Sequence, residues 1–543
     1  MPLAKVSITM SAAALVLAAL PPLPAGALTN DAAAIVAKHE AYVGHPPGLV
    51  LTYRYLRATA TPAASKDQSG DASSAPSLTT FRRGAVYHRL GDLTGNSVEN
   101  GFTGRAFWAS NENGYTVVEY EDAARNRLTR NLVTGDLLTD VPATARGSQT
   151  VDGVAADVVR IMPASGVPAD IAFDHATGAY VQVAYDPDNG YGRSVVHYDG
   201  YTEIAPGVRV PSGYHSSDYG AWKLAEHAVR EVTNDDLRGP VPTAKWNFVS
   251  TDAVPIDLVE HQTPYAFLPR GQAVELRATI QGHTGRFLLD SGASGIILYR
   301  PYADALKLTM LGRTGFTGVN GVGVAAQSAR VPSIELGKNS LTNVVVTVAP
   351  ALPPDAANPQ NNPVDGILGY DFLAGALVDV DTANRTIRIL DPNVMEPTVG
   401  KGAYAFTVNL ATRQPEVVLR VNNVTTRAIF DTGNDFLAVL SDDLKTSGRL
   451  VALNDVLNAG GGQTADYQIN FMGVDGPSNI PARCSRLNEI IVGPYHYQNV
   501  ETCFGPAKVF GRDGGLIGFD FLRHFNWTFD YAESKLVLTP NGK

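Results

Sequence analysis

The sequence predicts a mainly β protein in which a duplicated β unit follows a separate antiparallel β-rich domain. Three observations lead there. Gly (52) and Pro (34) are plentiful, and both punctuate turns more readily than they build helix bundles. Short alternating or β-branched runs recur between Asp/Asn/Gly turns. A segment of the C-terminal half occurs twice. The 543 residues call for more than one domain, because single cores stop growing near roughly 250–300 residues.

The first element, residues 1–27, reads as an export signal. Lys5 supplies a positive start, Val6 to Leu20 is mostly apolar, and Ala25-Gly26-Ala27 fits a small-residue cleavage site. An apolar run of about fifteen residues is short for a membrane span. The expected location is therefore the periplasm or the exterior.

Residues 28–242 form the β-rich N-terminal domain. A helix is expected over 30–43, with Asn30 or Asp31 at its start. Strands are expected at Leu49–Leu56, Tyr115–Glu121, Ala156–Met162, Tyr180–Ala184 and Ser194–Tyr198. Residues 61–77 are poor in apolar side chains and read as a disordered loop. After the Pro-containing stretch Gly239 to Pro242, residues 243–270 read as a linker. Two similar lobes follow at 271–397 and 398–543, divided by the turn-rich segment Asp391 to Gly402.

Composition excludes several classes of function. With a net charge of −10 and 18% charged residues, the chain has no basic patch to neutralise phosphates, so nucleic acid is not an expected partner. Cys484 and Cys503 are the only cysteines, and in an exported chain they pair as a disulfide closing a hairpin-sized loop. No HExxH or Cys/His spacing suggests a metal, and no cofactor is expected. There is no Gly-x-Ser-x-Gly elbow and no phosphate-binding Gly-Lys-(Ser/Thr) loop.

The repeat carries the chemistry. In the first copy Phe287-Leu288-Leu289 leads into Asp290-Ser291-Gly292-Ala293; in the second Ala428-Ile429-Phe430 leads into Asp431-Thr432-Gly433-Asn434. About eighty residues on, Ile367-Leu368-Gly369 matches Leu516-Ile517-Gly518. The match continues through Tyr370-Asp371-Phe372-Leu373 and Phe519-Asp520-Phe521-Leu522, then to Asp381 and Asp530 and a last strand at Ile387–Leu390 and Leu536–Thr539. One Asp-(Ser/Thr)-Gly means little, since roughly 0.2–0.3 copies are expected by chance in such a length. Two copies, each entered by an apolar strand and each followed by an apolar-apolar-Gly, are a duplication.

Two carboxyls about 3 Å apart cannot both ionise, so the pair holds one proton. The ionised member can take a proton from a water while the other polarises a peptide carbonyl. Asp290 and Asp431 are the expected catalytic pair, and which carries the proton is left open. Gly292 and Gly433 let two loops approach closely. Ser291 and Thr432 each offer a hydroxyl to the opposite loop. Gly369 and Gly518 give room for backbone contact on inner strands. Asp371 and Asp520 are expected to cap a helix, and Asp381 and Asp530 to serve turns.

These motifs resemble the retropepsin-like aspartic peptidase domain, over about 270–541. The resemblance implies two β-barrel lobes forming a pepsin-like pseudo-dimer, a cleft between them, a peptide or protein substrate, and a monomer with its dyad within one chain. Pairing of lobes between chains is the other arrangement. A glycine-rich flap over the cleft is expected at Gly315–Gly323, with Gly318, Gly321 and Gly323, and a second at Ala459–Gln463, around Gly461, followed by an irregular stretch before Cys484. An ordinary flexible loop is the other reading of each. Asn434 departs from the small residue found at Ala293, and either hydrogen-bonds locally or reshapes the cleft.

The N-terminal order of helix, long strands, Tyr201-Thr202-Glu203 and Gly207 to Pro211 resembles, in a few short patterns, periplasmic lipoprotein carriers. That implies a half-barrel whose concave face could hold an apolar ligand or peptide; a domain that only supports the lobes is the alternative. Trp108 and Tyr198 are expected in its core. The whole reads as an exported aspartic endopeptidase or, in the competing reading, as a catalytically silent binding or assembly protein of the cell envelope.

Overall fold

The computed structural model describes residues 30–44, 50–57, 77–83, 86–92, 97–103, 106–119, 143–161, 169–185, 194–216, 220–230, 245–247, 262–264, 266–267, 273–317, 323–351, 364–392, 403–408, 413–434, 436–446, 450, 466–473, 476–506 and 514–542. The expected export signal, residues 61–76, Gly239 to Pro242, and the flap glycines Gly318, Gly321 and Gly461 lie outside them. The protein is mainly β, in two compact units that meet in sequence at Val241 and Pro242.

In the N-terminal unit a 13-stranded sheet runs, among the described residues, from Thr116–Glu119 at one edge to Ala143–Val151 at the other. Its described pairings are antiparallel, and Val50–Arg57 pairs with Gly220–Arg230 to join the unit's first strand to its last. The helix spans Asn30–Val43 as expected. Its Ala32 and Val36 pack on Val159, Ile161, Ile171, Phe173 and Tyr180 of the sheet's inner face, each large apolar side chain contributing about 1.5–3 kcal/mol. A ribbon of Tyr201–Ala205 and Val208–Pro211 covers Tyr53, Tyr55, Tyr214 and Trp222 further along. The face that could have been an open apolar concavity is filled, at these places, by the unit's own helix and ribbon. Trp108 is buried, and Tyr198 packs against both clusters.

The C-terminal unit holds the two lobes. Each opens with a hairpin, Val274–Ile280 with His283–Leu289 and Pro415–Val421 with Val424–Phe430. The first turns tightly at Gln281 (φ 50°) and Gly282 (φ 80°), the left-handed pair that a two-residue hairpin loop requires. The second strand of each hairpin runs parallel to an inner strand, Gly366–Leu368 or Gly515–Ile517. That inner strand pairs on its other side with Ile296–Tyr299 or Ala438–Ser441. Buried on both faces, the inner strands are uniformly apolar.

Among the described residues a six-stranded sheet joins the lobes. At its centre Leu377–Asp381 lies antiparallel to Phe525–Asp530, with Leu377 opposite Asp530 and Val380 opposite Trp527. This makes the duplication an approximate two-fold.

The passage 243–270 is not a free linker where it is described. Lys245–Asn247, Gln262–Pro264 and Ala266–Phe267 each add an edge strand to the first lobe's sheets or to the joining sheet. Trp246 anchors it, buried with its ring 5.1 Å from Phe372 and its Nε1 donating to the Phe372 carbonyl at 3.2 Å. Short two- or three-residue strands carry no readable alternation, so the sequence does not reveal them. Among the described residues no helix is long and apolar enough to cross a membrane.

Candidate active site

Each expected aspartate leaves the end of a buried strand at the same depth. The Asp290 amide donates to the Leu368 carbonyl at 3.1 Å, and the Asp431 amide to Ile517 at 2.9 Å. The inner strands therefore set the height of both loops. Across the two-fold, Ser291 Oγ donates to the Phe430 carbonyl (2.6 Å) and Thr432 Oγ1 to that of Leu289 (2.8 Å). Each hydroxyl in turn accepts from the opposite backbone: Thr432 N to Ser291 Oγ at 3.1 Å, Ser291 N to Thr432 Oγ1 at 3.0 Å. These four hydrogen bonds are buried and reciprocal, so neither loop can shift without breaking the other's.

The glycines do what close approach demands. A Cβ on Gly292 would lie 2.6 Å from Cγ of Asp431, and one on Gly433 would lie 2.7 Å from Cγ of Asp290. No Cβ tolerates such contacts, so each carboxyl occupies the space that the other loop's glycine leaves open. The carboxyls are hydrogen-bonded to one another, which requires one proton between them. Each also accepts from its own loop, Asp290 Oδ1 from Gly292 N (2.8 Å) and Asp431 Oδ1 from Gly433 N (2.9 Å). Burial raises both above the ordinary carboxylate range, and the negative charge of Asp290 raises Asp431 further. Both residues nevertheless keep partial exposure, as a carboxyl that must meet a substrate would.

Residues 276–372 match the family model described as aspartyl protease. The matched stretch runs from the first lobe's opening hairpin, through Asp290, to the helix after its inner strand. No curated protein matches the chain. Among solved structures, a LolA superfamily protein from Nitrosomonas europaea is similar at 11% identity and a TM-score of 0.28, over 38% of this chain and 96% of that one. An outer membrane lipoprotein-sorting protein domain from Vibrio parahaemolyticus is similar at 12% identity and a TM-score of 0.27, over 38% and 94%. Likeness at these scores carries nothing further.

The rest of this protease-like site divides into places expected and places not. Gly369 and Gly518 are packed against the aspartate loops, where a Cβ would fall 2.3 Å from the Gly295 carbonyl oxygen or 2.2 Å from that of Phe436. They, and not Asp371 or Asp520, hold the N-cap positions of the helices Tyr370–Leu373 and Phe519–Leu522. Both aspartates stand in the first turn: Asp371 is buried and Asp520 pairs with Arg523 at 2.7 Å. Asp381 and Asp530 serve turns, accepting from Asn384 N and Glu533 N. Asn434 hydrogen-bonds locally, its Oδ1 accepting from Phe436 N at 3.2 Å. Cys484 and Cys503 form the expected disulfide as a cross-strand pair.

The first lobe's hairpin pairs Met310–Thr317 with Gly323–Leu336, so Gly323 begins the returning strand. In the second lobe the stretch before Cys484 is not irregular. Asp466–Gly473 and Gly476–Val492 pair antiparallel, with Gly473 opposite Gly476. The sequence signal for this pair of strands is the Asp-Gly dipeptide at 475–476 between two β-prone runs.

Three more residues, absent from the repeated motifs, come near the dyad. Gln414 Nε2 donates to the Gly292 carbonyl at 2.6 Å. Arg413, buried, lies over the Tyr370 ring (5.7 Å) and hydrogen-bonds its hydroxyl. Tyr531 stacks edge-on to Tyr370 at 5.5 Å and feels the charge of Asp290. Nothing in their local sequence marks them, because they reach the site from the ends of other strands. Among the described residues no group of three or more His, Cys, Asp or Glu could hold a metal ion.

Proposed function

We propose that the C-terminal unit is an aspartic endopeptidase that hydrolyses peptide bonds with a water held between Asp290 and Asp431. The observation that carries this reading is the reciprocal fit, in which each carboxyl fills the space of the opposite glycine's missing Cβ. Geometry of that kind serves no structural end that apolar residues would not serve better, since two buried acids oppose folding.

In the proposed reaction the ionised carboxylate takes one proton from the water as its oxygen attacks the peptide carbonyl carbon. The other carboxyl gives its proton to the carbonyl oxygen. The tetrahedral diol then collapses: the C–N bond breaks, and the carboxyl that took the water's proton delivers it to the leaving nitrogen. A hydroxyl proton of the diol returns to the second carboxyl, so the pair ends as it began. Activity requires the singly protonated pair and should follow a bell-shaped pH profile.

The test uses the purified chain on denatured casein from acid to neutral pH, with and without a statine-type transition-state mimic. Asp290→Asn and Asp431→Asn should each lower kcat by about 10²–10⁴-fold or more, and the mimic should inhibit wild type. Casein bound but not cleaved at any pH would favour the silent binding reading. Stability supplies an independent check. The folded-state pKa of each carboxyl is raised by burial, so its contribution to stability is present at low pH and lost as pH rises through that value. Asp431→Asn should therefore melt higher than wild type at neutral pH, with the difference closing towards acid.

A further inference from the structure

The repeat treats the two aspartates alike, so the residue that tells them apart must differ between the lobes. The opening hairpins give the correspondence. Val274 pairs with Leu289, the residue before Asp290, and Glu416 pairs with Ile429, two before Asp431. Antiparallel register then places Pro415 where the first lobe has Val274. One residue earlier stand Ala273 and Gln414. Gln414 reaches across the two-fold and donates to the Gly292 carbonyl at 2.6 Å. Ala273 is buried and has no side-chain donor to offer Gly433.

The Gly292 carbonyl and the Ala293 N–H belong to one peptide group; that N–H donates to the Asp290 backbone carbonyl at 3.2 Å and, from the same position, favours the charged form of the Asp290 carboxyl. A carbonyl that accepts a hydrogen bond polarises its peptide and makes the attached N–H a stronger donor, by roughly 10–30%. The corresponding N–H of Asn434 serves Asp431 without a side-chain donor from Ala273 behind it.

We propose that Gln414 is a positioning residue that breaks the symmetry of the pair, holding Asp290 as the ionised member and leaving the proton on Asp431. Resting on the peptidase reading above, this makes Asp290 the base towards water and Asp431 the acid towards the carbonyl oxygen. The other ionisable groups that face the pair do not supply the bias. Tyr531 and Tyr370 are pushed up by burial and stay neutral where carboxyls titrate. Arg413 is engaged with Tyr370, over its ring and on its hydroxyl. Asp371, against Gly295, is common to wild type and variant, so it cancels in their comparison.

The experiment compares the pH profile of kcat/KM, which reports the free enzyme, for wild type, Gln414→Ala and the near-isosteric Gln414→Met. Loss of the donor should move the acid limb towards higher pH by roughly 0.2–0.5 unit, with the plateau kept within a few-fold. A merely structural role would lower the plateau without moving the limb. Should Gln414→Ala fail to fold, Gln414→Met fills the same space and answers alone. Profiles that superimpose on wild type overturn the proposal. If Asp290→Asn is inactive while the profiles superimpose, this inference alone is lost; if Asp290→Asn is fully active, the peptidase reading fails first.

Discussion

The two lobes present the same loop to each other from unlike supports. At the contact they are near copies: Asp, a hydroxyl residue and Gly, with the hydroxyl residue hydrogen-bonded across the two-fold to the equivalent backbone positions. Behind the contact they diverge. In the first lobe Thr347 pairs with Ile297 on one side and Ser328 on the other. In the second the same places are taken by Cys503, between Val439 and Cys484, and the pair is a disulfide. The helix after the inner strand begins with Tyr370, beneath Arg413, in one lobe and with Phe519 in the other. The motif residues that satisfy two loops at once have been kept alike. Around them the copies were free to change, within each lobe and in the contacts that Arg413 and Gln414 make across to the first lobe.

The comparison breaks most visibly at the glycines. Gly292→Ala and Gly433→Ala place a methyl 2.6 to 2.7 Å from the opposite carboxyl carbon, so either must push the pair apart. A displacement near 1 Å costs on the order of 10²-fold in rate, and we expect at least that loss in kcat/KM from both. Since the geometry is reciprocal, the two losses should agree within a few-fold. A tolerated Gly433→Ala beside a crippled Gly292→Ala would show that the lobes are not equivalent at the dyad.

A smaller effect tests the supports. Cys484→Ser with Cys503→Thr gives the second lobe the first lobe's cross-strand pair. The bond closes a loop across a sequence separation of 19 residues, which should stabilise by roughly 3 kcal/mol if chain entropy dominates. Its neighbours Ile429, Phe436, Val439 and Leu516 flank the Asp431 loop. The double variant should therefore unfold at lower denaturant yet, while folded, keep kcat within a few-fold. Loss of activity without loss of stability would give the disulfide a part in the site itself.

What could be read in the sequence follows the same division. The dyad, its glycines and hydroxyls were legible because a duplicated chemical requirement leaves the same letters twice. The helix Asn30–Val43 and the long N-terminal strands were legible from pattern. The edge strands within 243–270 were not, because two or three residues cannot show a period. The hairpin of Asp466–Gly473 with Gly476–Val492 was legible only in the Asp-Gly dipeptide at 475–476, while the glycine run at 459–462 lies outside the described residues. Gln414 and Tyr531 were invisible for a different reason: their importance lies in which loop they meet in space, and neither copy of the repeat contains the other's counterpart.

The finest test concerns the one motif position where the copies disagree. Asn434 stands where the first lobe has Ala293, and two opposing quantities decide its worth. Its Oδ1 accepts from Phe436 N at 3.2 Å, a bond contributing about 0.5–1.5 kcal/mol net. Its Nδ2 is buried with no partner among the described residues, a desolvation cost of about 1–3 kcal/mol. Asn434→Ala removes both, so stability read from the denaturant midpoint should fall by no more than about 0.5 kcal/mol or rise by up to about 2.5 kcal/mol. Ala293→Asn is the uneven reverse. Ala293 packs against Ile297, Tyr299 and Ile367, and an amide placed among them would be buried beside apolar groups, costing about 1–3 kcal/mol. If the two substitutions prove equally mild, the lobes are more alike behind the dyad than their packing implies, and Asn434 is a neutral replacement.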